Sequence, residues 1–93
     1  MGTQPRVVKV ALLTQPQCAF CEQAKEVLER LSAEYPLFVR VLELGSTEGR
    51  IVAEQSGIFF PPGILLDGDS FSYGRVSERK LRQEIERRLS LTS

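Results

Sequence analysis

Cys18 and Cys21, separated by Ala19-Phe20, are the residues whose type and spacing imply chemistry most directly; no other cysteine and no histidine occurs in the 93-residue chain. A structural disulfide framework joins distant segments, because closing a longer loop removes more disorder from the unfolded chain. A pair this close staples almost nothing. Without histidine or further cysteines, the usual partners of a tetrahedral zinc site are missing within one chain. Glu22 follows Cys21, which excludes haem attachment through a C-x-x-C-H pattern. Redox chemistry of the pair is the leading reading. Two others stand beside it: small buried hydrophobes on a helix, and a half-site for zinc or an iron–sulfur cluster completed by a second chain.

The elements that must position this pair follow from periodicity. Val7-Val8-Lys9-Val10-Ala11-Leu12-Leu13 is short, β-branched and nearly continuous in apolar character, as expected of a central strand buried on both faces. Thr14-Gln15-Pro16-Gln17 breaks it, and Ala24, Val27, Leu28 and Leu31 then recur at helical spacing in an amphipathic helix ending near Tyr35-Pro36. A strand is expected from Leu37 to Leu44, stopping at Gly45-Ser46. The second helix is expected from Thr47 to about Ser56, capped by Ser46 or Thr47 and closed by Gly57. Prolines make the segment from Phe59 to Gly63 irregular. Ile64-Leu65-Leu66 is the next strand, and Asp67-Gly68-Asp69 signals a hairpin to an antiparallel strand from Phe71 to Val76. Ser77 sits at the N-cap of a last helix, with Glu78 in its first turn and Leu81, Ile85 and Leu89 as its apolar stripe. The order is β-α-β-α-β-β-α: a parallel βαβ half joined through a helix to a hairpin and a covering helix. Residues 1–93 read as one domain with a core of about 7–90, without repeats or linkers.

A strand, a turn and then a helix place Cys18 at or near a helix N-terminus, where unpaired N–H groups and the macrodipole favour negative charge. Cysteine attacks as the thiolate, so a lowered pKa raises the reactive fraction near neutral pH. Cys18 is therefore expected to be the nucleophile. Cys21, nearly one turn further in, is expected to be the shielded resolving thiol.

Composition narrows the remaining classes. Twelve Lys+Arg balance twelve Asp+Glu, so no large field of one sign attracts nucleic acid or an anionic membrane. The apolar runs are far shorter than a membrane span. Met1-Gly2-Thr3-Gln4-Pro5-Arg6 lacks the features of a secretory signal, and a cytoplasmic location is expected.

With these motifs in place, the chain resembles the thioredoxin-fold oxidoreductases of the thioredoxin/glutaredoxin kind from about Val7 to Leu89. The resemblance rests on Cys18-Ala19-Phe20-Cys21 after the first strand, on Pro62-Gly63-Ile64-Leu65-Leu66-Asp67-Gly68 as cis-proline, strand and turn, and on Gly74-Arg75-Val76-Ser77 before the last helix. It implies an α/β thioredoxin fold, a four-stranded mixed sheet flanked by three helices. It also implies a dithiol oxidoreductase that reduces disulfides through a mixed disulfide, within electron transport and cell redox homeostasis. The implied substrate-binding positions are Gln17, Phe20, Pro61 and Pro62. The Asp67-Gly68 register assigns the cis-proline to Pro62, and a shift of one residue would make it Pro61. Implied partners are a disulfide-containing protein or small-molecule thiol and an upstream reductant, with no nucleic acid or membrane; the protein is expected to be a monomer. No metal or cofactor is implied beyond the Cys18–Cys21 disulfide.

The chain also departs from that family. Pro61 has no N–H to offer a bound peptide, so altered main-chain clamping is expected. Gln17 stands where thioredoxins carry Trp. Leu12 falls at about the position of their buried acid, so the proton of Cys21 must use water or Glu22. Tyr73-Gly74-Arg75 does not reproduce the Gly-Gly and acidic residue with which glutaredoxins grip glutathione, which argues against glutathione dependence. Phe59 is expected in the core, and Phe20 exposed. Arg79, Lys80, Arg82, Arg87 and Arg88, interleaved with glutamates, read as a solvated face held by local ion pairs, and Arg75 as plain surface. The competing class is a non-catalytic binding module of the same fold, using its aromatic rim or a shared metal or iron–sulfur cluster.

Overall fold

The computed structural model describes residues 6–90. Segments 1–5 and 91–93, and with them most of the N-terminal stretch read for a secretory signal, lie outside the described residues. The elements are β1 (Val8–Thr14), α1 (Ala19–Glu34), β2 (Leu37–Glu43), α2 (Thr47–Ser56), β3 (Gly63–Leu66), β4 (Asp69–Tyr73) and α3 (Glu78–Ser90). Their order is the expected β-α-β-α-β-β-α. The strands form one mixed sheet in the order β2-β1-β3-β4. β1 is parallel to β2 and antiparallel to β3, and β3 is antiparallel to β4.

Alternation along β1 divides the core in two. Val8, Val10 and Leu12 face α1 and α3, where they pack with Ile64 and Leu66, with Ala24, Val27, Leu28 and Leu31 of α1, and with Leu81 and Ile85 of α3. Leu13 and Leu65 face the other way, toward Ala53 of α2 and Ile58. The helices thus cover both faces of a sheet whose central strand carries the redox motif at its exit.

Local signals set most boundaries. Ser46 is the N-cap of α2, its hydroxyl accepting from the Gly49 N–H at 3.0 Å, and Gly57 closes the helix in the left-handed region at φ 75°. Ser77 caps α3, its Oγ accepting from the Lys80 N–H at 3.3 Å. The expected strand from Phe71 to Val76 is displaced: β4 begins at Asp69 and ends at Tyr73. Asp67 and Gly68 both have positive φ, 50° and 87°, which is the two-residue turn that pairs Leu66 directly with Asp69. At the other end Gly74, at φ 81°, turns the chain away before Val76.

The basic residues of α3 are not simply a solvated face. Arg87 and Arg88 do pair locally with Glu84, but Arg82 reaches Glu34 of α1 at 2.6 Å and Arg30 of α1 reaches Glu78 at 2.7 Å. Arg88 also bonds Asp69 in the β3–β4 hairpin at 2.9 Å. These pairs tie α3 to its neighbours because Leu81 and Ile85 seat the helix on the sheet with its flanks against α1 and the hairpin.

Candidate active site

The turn out of β1 sets the geometry. Gln17, after Pro16, has a φ of 56°, a left-handed conformation that non-glycine side chains seldom adopt and that reverses the chain ahead of Cys18. Cys18 is the N-cap of α1, with extended backbone at φ −120° and ψ 106°. Its carbonyl accepts from the Glu22 N–H at 3.2 Å, and its Sγ accepts from the Cys21 N–H at 3.2 Å. The sulfur thus occupies the place a serine or aspartate side chain takes at an ordinary N-cap, where it receives one of the orphan amides of the first turn. Negative charge on that sulfur is favoured by the amide and by the positive end of the helix dipole.

Cys18 and Cys21 are joined by a disulfide, with their Cα atoms 5.2 Å apart. Their environments differ. Cys18 is partly exposed, whereas Cys21 is fully buried beneath the first turn of α1. A thiol reagent approaching this end of the molecule therefore meets the Cys18 sulfur and not that of Cys21.

The second wall comes from the loop before β3. Leu13 pairs with Gly63 across the β1–β3 ladder, so Pro61 and Pro62 lie at the same end of the sheet as the Cys18 turn. The Pro61–Pro62 peptide bond is cis. Pro62 is buried and its carbonyl accepts from the Gly74 N–H at 2.8 Å. Gly63 must be glycine because a Cβ there would collide with the Ile58 side chain. Pro61, half-buried, offers neither an N–H nor a contact that closes off its carbonyl among the described residues.

Aromatic side chains surround this end. Phe20 is 52% exposed and Phe60 69% exposed. The Phe60 ring packs tilted against Tyr73, with centroids 6.2 Å apart. Phe59 corrects its expected place in the core: it is 59% exposed. Ile58 takes the inward position instead, filling the space over Gly63 and beside Leu13 and Ala53, and the chain then turns outward into the prolines. Leu12 is fully buried and stands opposite Val41 in the ladder. Among the described residues no acidic side chain is buried, and Thr14 is the sole buried polar residue. Glu22 is exposed and bonded to Lys25 at 3.1 Å.

Gln17, Phe20, Pro61 and Pro62 all fall in the segments that flank the two cysteines. Tyr73 and Gly74, named above only as motif residues before the last helix, also belong to this end, against Phe60 and Pro62. Their signal lies in the strand-ending Tyr-Gly pair, which becomes legible once the hairpin register is shortened by the Asp67-Gly68 turn.

No protein-family model matches the chain. It is 34% identical over 82 residues to a thioredoxin of Methanocaldococcus jannaschii, covering 88% of this chain and 96% of that one. An uncharacterized protein of Mycobacterium tuberculosis is also 34% identical over 82 residues, covering 85% of this chain and 84% of its own. Among solved structures, thioredoxin 1 of Thermosipho africanus superposes with a TM-score of 0.70 at 17% identity, over 90% of this chain and 97% of that one. A mutant thioredoxin of Halobacterium salinarum does so with a TM-score of 0.70 at 24% identity, over 86% and 73%. The structural likeness establishes the fold, and the sequence identity over nearly the whole of both chains, together with a disulfide-bonded Cys-x-x-Cys at the start of α1, establishes that this chain belongs to the thioredoxin family of thiol–disulfide oxidoreductases.

Proposed function

We propose that the protein reduces disulfides of protein substrates by a two-step exchange in which Cys18 attacks and Cys21 resolves. The observation that carries this reading is the unequal burial of two sulfurs held at one helix N-terminus. In the reduced protein the Cys18 thiolate attacks one sulfur of the substrate disulfide. A bond forms between Cys18 Sγ and that sulfur, and the second substrate sulfur leaves as a thiolate. The Cys21 thiolate then attacks Cys18 Sγ, expels the first substrate sulfur and leaves the Cys18–Cys21 disulfide. Two electrons have passed from the dithiol to the substrate, and an external dithiol reductant restores them. Both electrons are carried by the sulfur pair, so the exchange needs no bound cofactor.

The proton of Cys21 leaves to water at the Cys18 opening in this scheme, because Leu12, apolar and fully buried, stands at about the position where the resemblance puts an internal acid. The substrate strand lies against the Pro61–Pro62 loop. Pro61 accepts a hydrogen bond there but cannot donate one, and Phe20, Phe60 and Tyr73 supply the apolar area that compensates. Tyr73-Gly74-Arg75 offers no acidic group to a glutathione amine, which favours protein substrates over glutathione. Among the described residues no helix is long and apolar enough to cross a membrane, and we place the reaction in the cytoplasm, where dithiol reductants are supplied.

Turnover of a protein disulfide by Cys18→Ser and Cys21→Ser variants tests the scheme. Cys18→Ser is expected to abolish turnover, and Cys21→Ser to accumulate a mixed disulfide on Cys18. Retained turnover in Cys18→Ser, or no adduct in Cys21→Ser, contradicts it. A binding module would keep its partner after both substitutions; the full burial of Cys21, which hides its sulfur from a second chain's metal, speaks against that reading.

A further inference from the structure

β2 is an outer strand of the sheet. The Val8 N–H donates to the Pro36 carbonyl at 3.1 Å, and the Leu44 N–H donates to the Thr14 carbonyl at 2.8 Å. The parallel ladder between these two bonds turns the backbone groups of Phe38, Arg40 and Leu42 toward β1 and those of Leu37, Val39, Val41 and Glu43 outward. Among the described residues no strand covers this edge, which is seven residues long, runs in unbroken register and contains neither proline nor glycine. Proline and bulges, two devices that blunt native edges, are absent, and its charges are confined to Arg40 and Glu43.

Both faces beside the edge are also open. On the α2 face lies a groove of about 520 Å³ lined by Lys9, Ala11, Phe38, Arg40, Val52 and Leu65. On the α1 face a smaller one of about 180 Å³ is lined by Leu12, Leu28, Val39 and Val41. Phe38 is 58% exposed on the first face and Val41 50% exposed on the second. An added strand extends both faces past Phe38 and Val41, because its side chains alternate between the faces.

We propose that a second copy of this chain pairs antiparallel with β2 about a two-fold axis at Val39, joining two four-stranded sheets into one. Leu37 then faces Val41 of the second copy, Val39 faces Val39, and Phe38 faces Arg40. The first two are hydrogen-bonded pairs of outward-facing residues. The third is the closer, non-hydrogen-bonded kind, which sets a guanidinium over an aromatic ring. Centring on Arg40 would oppose two guanidinium groups, and centring on Val41 would set Val39 against Glu43. Charge favours the same orientation. Lys9, beside Phe38 in the ladder, has no ion-pair partner among the described residues, and the axis puts Glu48 of the second copy, paired with its own Arg40, on the same face with the opposite charge. This departs from the expected monomer; nothing in the strand pattern of the sequence marks β2 as an edge. The antiparallel arrangement puts the two Cys18 openings at opposite ends, so redox turnover does not depend on it.

Sedimentation velocity on the full chain from about 1 μM to about 1 mM tests the proposal over the range of a modest self-association. A concentration-dependent dimer is expected. Val39→Pro removes an outward-facing amide and trims a side chain packed against the core, so its fold is checked by circular dichroism while the dissociation constant is expected to rise about 30-fold or more. Phe38→Lys, which opposes Arg40 of the second copy with a like charge, is expected to weaken the dimer, and adding Arg40→Glu to restore it. A monomer throughout, or a dimer indifferent to both Val39→Pro and Phe38→Lys, overturns the proposal. If Val39→Pro fails to fold, the Phe38→Lys pair decides. Dithiol turnover of the wild type, measured in parallel, reports separately on the redox reading.

Discussion

The division of labour between Cys18 and Cys21 comes from one helical turn. The N-cap sulfur receives an amide and faces solvent, while the sulfur three residues on is sealed under the helix. In the reduced protein, Cys18 is therefore expected to be alkylated by iodoacetamide at least about tenfold faster than Cys21 at neutral pH. Equal labelling rates would remove the basis for calling one the nucleophile. Leu12 makes a second point at this scale. It is fully buried opposite Val41, so Leu12→Asp sets a carboxylate among Leu28, Val39 and Val41, with Lys25 the one cation along that groove, and is expected to cost about 3 kcal/mol or more, read by denaturant unfolding. A Leu12→Asp variant of unchanged stability would mean that a partner or water reaches this position.

At the scale of elements, the boundaries followed from caps that the sequence displays. Ser46→Ala and Gly57→Ala are each expected to destabilise α2 by about 1 kcal/mol, the first by freeing the Gly49 amide and the second by placing a Cβ at φ 75°. The α3 ion pairs give a pH dependence. The Arg87 guanidinium, followed by that of Arg88, holds the Glu84 carboxyl down at about 2 from an ordinary 4.5. Because the folded value is the lower one, this contribution is complete above about pH 4.5 and is lost as pH falls toward 2. With screening at this partly exposed site it amounts to on the order of 1 kcal/mol, or about 4–8 °C in Tm. Thermal melts from pH 5 to 2.5 should therefore show a smaller acid loss in Glu84→Gln than in the wild type. Arg82 likewise holds Glu34 low, and Arg30 does so for Glu78, so the α1–α3 contact weakens in the same direction.

For the whole molecule, the order of elements and the helix faces were legible because each rests on a local signal: the 3.6-residue spacing of Ala24, Val27, Leu28 and Leu31, the capping of Ser46 and Ser77, the glycine at 57. The end of β4 was not legible, since it depends on Gly74 bonding to Pro62 across the sheet. Phe59 was misplaced for a similar reason, because the choice between Ile58 and Phe59 as the inward side chain depends on the small surface offered by Gly63. At the candidate site, the cysteines and the proline loop were visible as motifs, while the left-handed Gln17 and the Phe60–Tyr73 contact emerged only from the packed chain. The edge at β2 is likewise a property of strand order and not of strand composition. The central claim, that Cys18 and Cys21 form a working redox couple, is tested most directly by equilibrating the protein in glutathione redox buffers, quenching in acid, alkylating and weighing it by mass spectrometry. A reversible two-electron transition to the Cys18–Cys21 disulfide, without an accumulating glutathione adduct, is the expected result. Thiols that stay reduced across the buffers, or that oxidise only irreversibly, contradict it.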